Sequence, residues 1–277
     1  MYMSFLTRPE LPTNRARPAG PDPPRGKTLK RAAFAAAAAG AALLTLGSAG
    51  AGAASATVAG AHHAPPVVST TSQAGYLTSG RWFRYISTTV KVATAPAQSG
   101  NSSYASVALG GAGVSPVTLA VKAGGGPASI AWSIGVPPFG MGGGAMTKVT
   151  PKPGDMLNLS IYYNRHGADF LTAADITQGT SQTIRLPVPS TVYTAAEAAG
   201  VVQNATVVAP EASTRLWAFS GTLVTTYTGV HGTLLGPWTT SQVVDTNTGG
   251  SSGAVVISPS ALWNNGRNFG VWLRPTA

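Results

Sequence analysis

Between residues 150 and 189 apolar and polar positions alternate in three short runs. Leu157, Leu159, Ile161 and Tyr163 make the first set, Phe170, Thr172, Ala174 and Ile176 the second, and Ile184, Leu186 and Val188 the third. A period of two puts each set on one face of a strand and leaves the intervening residues on the other. Pro153-Gly154-Asp155 opens the first run, and residues 164–167 and 178–180 separate the three. Those spacers hold the Gly, Asn and Pro that supply turn backbone angles. The stretch predicts a three-stranded antiparallel meander.

The same reading extends in both directions. Tyr76 and Leu77, then Trp82, Arg84, Ile86, Thr88, Val90 and Val92, alternate against Phe83, Tyr85, Ser87, Thr89 and Lys91. Further strands are predicted at 104–109, 114–121, 129–134, 192–202, 204–208, 215–227, 229–233, 243–244, 254–258 and 268–273, with a Gly- and Pro-rich loop at 136–144. Ser258-Pro259 has the form of a helix cap followed by proline at the first position, which predicts a helical turn reaching Trp263. Many short strands with frequent turns predict an all-β fold, an antiparallel β-sandwich or jelly roll, spanning residues 75–277.

Residues 1–53 read differently. A basic cluster from Lys27 to Arg31 precedes a weakly apolar run at 32–46, then small-residue A-x-A sites that place cleavage after Ala53 or Ala56. This is the pattern of a secretory signal peptide behind a disordered basic leader, with 54–74 as a flexible lead. The run is shorter than the roughly 20 residues a spanning helix needs. An extracellular protein without a stable membrane anchor is therefore expected, tethered only if the segment is not cleaved.

Composition narrows the function. Charged residues are 9% of the chain and cysteine is absent, which excludes disulfides and thiolate chemistry. The formal charge of +10 is concentrated at the front: seven of the 18 Lys and Arg and two of the eight acids fall in residues 1–31, leaving +5 for the rest. The remaining basic residues are scattered singly, so nucleic acid is not an expected partner. Asp155, Asp169, Asp175, Glu197, Glu211 and Asp245 are too dispersed for a calcium loop, and His62-His63 have no neighbouring acid or cysteine. No metal or cofactor is expected. Gly124-Gly125-Gly126 lacks the Lys-Ser/Thr of a phosphate loop and reads as a turn. His166 and Asp169 share a turn but no nucleophile elbow accompanies them, and His166 and His231 read as hydrogen-bonding residues.

Residues 103–111 (SYASVALGG), 117–124 (VTLAVKAG), 154–188 and 193–200 (YTAAEAAG) together resemble the secreted glutamic peptidases called eqolisins, over roughly residues 75–273. The resemblance implies a concanavalin-like sandwich with its active site on the concave face. It also implies a dyad in which a glutamate takes a proton from water while a glutamine amide polarises the scissile carbonyl. Glu197 matches the glutamate. The place of the glutamine falls at Lys122, or at Val121 if the register slips by one. A lysine beside Glu197 would hold that carboxylate ionised and make it a poor base. The family's acidic positions appear as Gly110 and in Ala131-Trp132-Ser133, so the dyad is degenerate and the cleft poor in acid.

Two further readings stay open. Thr194-Ala195-Ala196-Glu197 also forms a capping box, which would make Glu197 the end of a short helix rather than a strand residue. The rival to a peptidase is a noncatalytic module that binds a peptide or polysaccharide on the concave face, with Trp132 and Trp217 as the stacking rings. Trp82, Trp238, Trp263 and Trp272 complete the tryptophans, and large aromatics also fill cores.

Overall fold

The longest strand, β2 (Gln73–Lys91), is shared by two layers. The computed structural model describes residues 65–70, 73–93, 102–124, 126–135, 143–188, 192–203, 214–245 and 255–275. All belong to the compact unit Gly40–Ala277. The expected leader at 1–53, His62-His63, most of the glycine-rich loop and the strand expected at 204–208 lie outside the described residues.

Before β2 stands β1 (Val67–Thr70), so the segment expected to be a flexible lead contributes a strand. After β2 come β3 (Ser102–Gly111), β4 (Val114–Ala123), β5 (Ser129–Ile134) and the two-residue β6 (Gly144–Ala145). The predicted meander follows as β7 (Met156–Tyr163), β8 (Ala168–Asp175) and β9 (Thr180–Pro187). The chain continues through β10 (Tyr193–Gln203), β11 (Thr214–Thr226), β12 (His231–Gly232), β13 (Thr239–Asp245), β14 (Val255–Pro259) and β15 (Phe269–Pro275). No helix among the described residues is long and apolar enough to cross a membrane. The helical turn expected at Ser258 does not form: β14 runs through Pro259, and Trp263 instead bridges Asn268.

β2 bends at Gly80, whose φ of 83° is cheap only for glycine. Residues before the bend pair with β10 on one side and β13 on the other, and residues after it pair mainly with β11 and β7. One layer therefore runs β1-β13-β2-β10-β3-β4-β5-β6, and the other β9-β8-β7-β2-β11-β15-β14 with β12 on β11. Every pairing is antiparallel except β1 with β13. The layers enclose one apolar core in which Val107, Leu109 and Leu119 face Leu157, Leu159 and Ile161, and Phe219 stacks on Phe269 at 4.4 Å. Each such side chain, fully buried, contributes about 2 kcal/mol.

The meander forms with the predicted turns, but its middle run is turned over. Leu171 and Ala173 are buried between Asp169 and Asp175, while Phe170, Thr172 and Ala174 lie on the less buried face and Ile176 is exposed. Register explains it: Leu159 pairs with Ala173, and Ile161 with Leu171, so β8 must bury the residues opposite the buried set of β7. At the head of β7 the Asp155 carboxylate accepts the Lys152 N–H at 2.7 Å, and this bond, with one from the Gln178 amide, holds Asp155 below the usual carboxylate range.

Candidate functional site

Glu197 lies in the middle of β10, paired through the backbone with Leu77 of β2 on one side and Ala108 of β3 on the other. Two flanking strands, rather than a helix end, set its position. Alternation sends Ala196, Ala198 and Val202 into the core and leaves Ala195, Glu197, Ala199 and Val201 on the opposite face of the layer. That face is itself closed, and Glu197 is only 3% exposed.

Among the described residues the carboxyl has one hydrogen-bond donor, the side-chain amide of Gln73, which donates from Nε2 to Oε1. Gln73, Gly75 and Leu77 share the face by alternation, and Gly75 and Ala199 pair between Gln73 and Glu197. β2 and β10 approach so closely there that a Cβ on Gly75 would stand 2.6 Å from the Ala199 Cα and 2.8 Å from its Cβ. The absent side chain leaves the path between amide and carboxyl open. Burial pushes Glu197 up to about 8, and no charge among the described residues offsets the loss of water. At neutral and acid pH it is a carboxylic acid.

A cross-strand row extends from this pair. Leu77, Glu197, Ala108, Thr118 and Ser133 occupy successive strands in one register, with Ser241 beyond Leu77. Thr118 and Ser133 are each 1% exposed, and Thr118 Oγ1, Ser133 Oγ and Glu197 Oε2 make no hydrogen bond among the described residues. Strands spaced about 4.8 Å apart put Thr118 about 10 Å from the Glu197 position. A buried polar atom without a partner costs about 1–3 kcal/mol, so three in one row form a local concentration of unmet polar groups.

The sequence-derived candidates fall in different places. Lys122 shares the face of Glu197, yet it pairs with Tyr104, which pairs with Val201, four residues along β10 from Glu197. That is about 13 Å along the strands, in addition to two strand spacings across them. The expected ion pair is therefore not formed, and Glu197 is shifted up rather than down. Trp132 pairs with Leu119, so it lies on the face opposite Thr118, Ser133 and Glu197 and packs against the core. Trp217 is 1% exposed in that core, close against β10, where a Cβ on Gly200 would lie 3.3 Å from its ring. Neither tryptophan shares a face with Glu197.

Sequence reasoning missed Gln73. It stands two residues before residue 75, where the predicted sandwich begins, and the signal present was its place in the Gln73, Gly75, Leu77 alternation. Asp169 accepts the Tyr193 hydroxyl at 2.5 Å. Burial pushes Asp169 up to about 6, against the lowering effect of that bond. His166 is exposed, His231 Nδ1 lies 3.0 Å from the Thr225 hydroxyl, and no cluster of three His, Cys, Asp or Glu capable of holding a metal occurs among the described residues.

No family model and no curated protein matches the sequence. Solved structures do match in three dimensions. Scytalido-glutamic peptidase bound to a peptide-based transition-state analogue superposes with a TM-score of 0.52 at 15% identity, covering 74% of this chain and 98% of the peptidase. SCP-B, a member of the eqolisin family of peptidases in complex with the tripeptide Ala-Ile-His, gives 0.50 at 15% identity with the same coverage. The fold is that of the glutamic peptidases. Nearly the whole length of each peptidase is represented, so the shared glutamic-peptidase fold is the complete sandwich rather than a fragment of it.

Proposed function

We propose that the chain is an acid-acting peptidase in which Glu197 and Gln73 form the working pair. The observation that carries this reading is the carboxyl–amide contact on the face of β10, made by Gln73 of β2 instead of by a residue of β4. The chemistry needs a carboxyl that can exchange a proton and a neutral donor that can be aimed at a developing oxyanion. Glu197 and Gln73 supply both, and the lysine that would have locked the carboxylate ionised is remote.

The proton inventory suits acid conditions. Closed, Glu197 is protonated. Its shift comes from desolvation alone, so entry of substrate and water returns it toward the ordinary carboxylate range, where it takes a proton from the attacking water. The Gln73 N–H, released from Oε1, then donates to the scissile carbonyl oxygen, and protonated Glu197 passes its proton to the departing amine. Thr118 and Ser133, lying in register with Glu197, are placed to hydrogen-bond an extended peptide backbone across the strands. Because Glu197 is closed off, whatever covers this face must move before hydrolysis. The leader pattern at 1–53 supports action outside the cell.

The test is hydrolysis of a denatured protein substrate by the mature chain from about pH 2 to pH 7, a range spanning an unperturbed carboxylate. Cleavage on the acid side, abolished by Glu197→Gln and reduced at least a hundredfold by Gln73→Ala, is expected, with Lys122→Ala retaining activity. Activity surviving Glu197→Gln overturns the reading. No cleavage at any pH leaves the noncatalytic alternative, a peptide- or polysaccharide-binding module on this face.

A further inference from the structure

Where β2 bends, the surface opens into a cleft of about 460 Å³ lined by Arg81, Trp82, Thr194, Thr226, Tyr227 and Thr228. Its residues come from the β2 bend, the start of β10 and the end of β11, three segments brought together only by the fold. Gly80 lies three residues from Leu77, the cross-strand partner of Glu197, so the cleft stands about 10 Å along β2 from the carboxyl row. None of its lining residues belongs to that row.

The lining has a definite chemistry. Trp82 is 59% exposed, an unusual position for an indole, and it meets Tyr227 edge to face at 6.5 Å. The pair is fixed by the backbone, with the Tyr227 N–H donating to the Trp82 carbonyl at 2.7 Å. The hydroxyls of Thr226 and Thr228 lie 3.0 Å apart, and Thr226 Oγ1 also accepts the Val230 N–H, so the threonines are held in place. Arg81 donates from Nε to the Pro237 carbonyl at 3.3 Å, which anchors the guanidinium and leaves its terminal nitrogens for another acceptor. A second guanidinium, that of Arg165, lies 4.3 Å over the Tyr227 ring. No carboxylate occurs among the described residues lining the cleft.

We propose that this cleft binds an acidic saccharide. The apolar face of a pyranose ring matches an exposed indole, its hydroxyl edge matches fixed threonine hydroxyls, and a hexuronate carboxylate matches a planar guanidinium that has no acid of its own. A neutral sugar would use the rings and hydroxyls but leave the Arg81 guanidinium unanswered. A short acidic peptide would answer that guanidinium but present no flat apolar ring to Trp82. The site is independent of the peptidase reading, since it shares no residue with the Glu197 and Gln73 pair.

Calorimetric titration of the mature chain with a galacturonic acid trimer, the matching galactose trimer and a triglutamate peptide decides it. Binding of the uronate at least tenfold tighter than either control is expected, weakened at least tenfold by Trp82→Ala and separately by Arg81→Gln. Both side chains are at the surface, and an unchanged thermal melt confirms that each variant is folded. No binding of the uronate, equal binding of the galactose trimer or triglutamate, or binding untouched by either substitution overturns the proposal.

Discussion

Gln73 and Glu197, separated by 124 residues in the chain, meet as donor and acceptor on one face of the layer formed by β2 and β10. The resemblance to glutamic peptidases places the amide partner on β4, two strands from Glu197 on the β3 side. The structure supplies an amide from β2, the neighbour on the other side. Position in a strand pattern is thus a poor guide to which amide serves a carboxyl. What matters is which long polar side chain has a clear path to it, and here Gly75 and Ala199 provide that path.

The neutral Glu197 makes stability depend on pH in a stated direction. Its value rises from an ordinary 4.5 to about 8 on folding, so across that window the folded chain binds more protons than the unfolded chain, and stability falls as pH rises. At pH 7 the loss relative to pH 4 is roughly 3 kcal/mol. Glu197→Gln keeps an acceptor for Gln73 and cannot ionise. Denaturant melts should show it close to wild type at pH 4 and more stable by roughly 3 kcal/mol at pH 7. Parallel curves for the two proteins between these pH values would refute a buried neutral Glu197.

Asp169 adds a second, more acidic window. Its value rises from 3.8 to about 6, so its stabilising proton is lost between those pH values. Tyr193 opposes the shift by donating to the ionised form. Tyr193→Phe should therefore move the Asp169 midpoint upward and destabilise the fold by about 1–2 kcal/mol at pH 7. A midpoint that stays fixed would show that the hydroxyl does not act on this carboxyl.

Trp217 and Gly200 belong to the contact between layers. Trp217→Ala should cost about 4 kcal/mol by leaving a cavity. A larger residue at Gly200 meets Val271 Cγ1 at 2.9 Å as well as the Trp217 ring, so Gly200→Val should cost about 3 kcal/mol by overpacking. Thermal melts measure both. A near-neutral Trp217→Ala would return that ring to the surface, as the sequence reading had it.

The meander was legible because its alternation and its turn residues agree. The buried face of β8 was not, since its apolar pair Leu171 and Ala173 sits between two aspartates and only pairing with β7 selects it. The strand around Glu197 was readable from its neighbours, but a capping-box pattern competed with it locally, and pairing with β2 and β3 decided the matter. Alternation could put Lys122 and Glu197 on one face and could not reveal that four register positions separate them. Trp132 and Trp217 failed as surface rings for a related reason: which face of a strand is covered is set by the opposite layer. The Gln73–Glu197 contact and the Trp82 cleft join distant segments, so the local alternation that puts Gln73 on the face of Glu197 could not reveal its partner.

The account rests on Glu197 being a neutral acid beside Gln73, and the chain offers a clean probe of that state because it contains only three glutamates, Glu10, Glu197 and Glu211. Selective carbon-13 labelling of glutamate carboxyls, with the Glu197 signal assigned by its loss in Glu197→Gln, allows its titration to be followed directly by NMR. A midpoint near 8 is the predicted result. A Glu197 midpoint near 4.5 would contradict it, and with it the closed carboxyl–amide pair on which the peptidase reading depends.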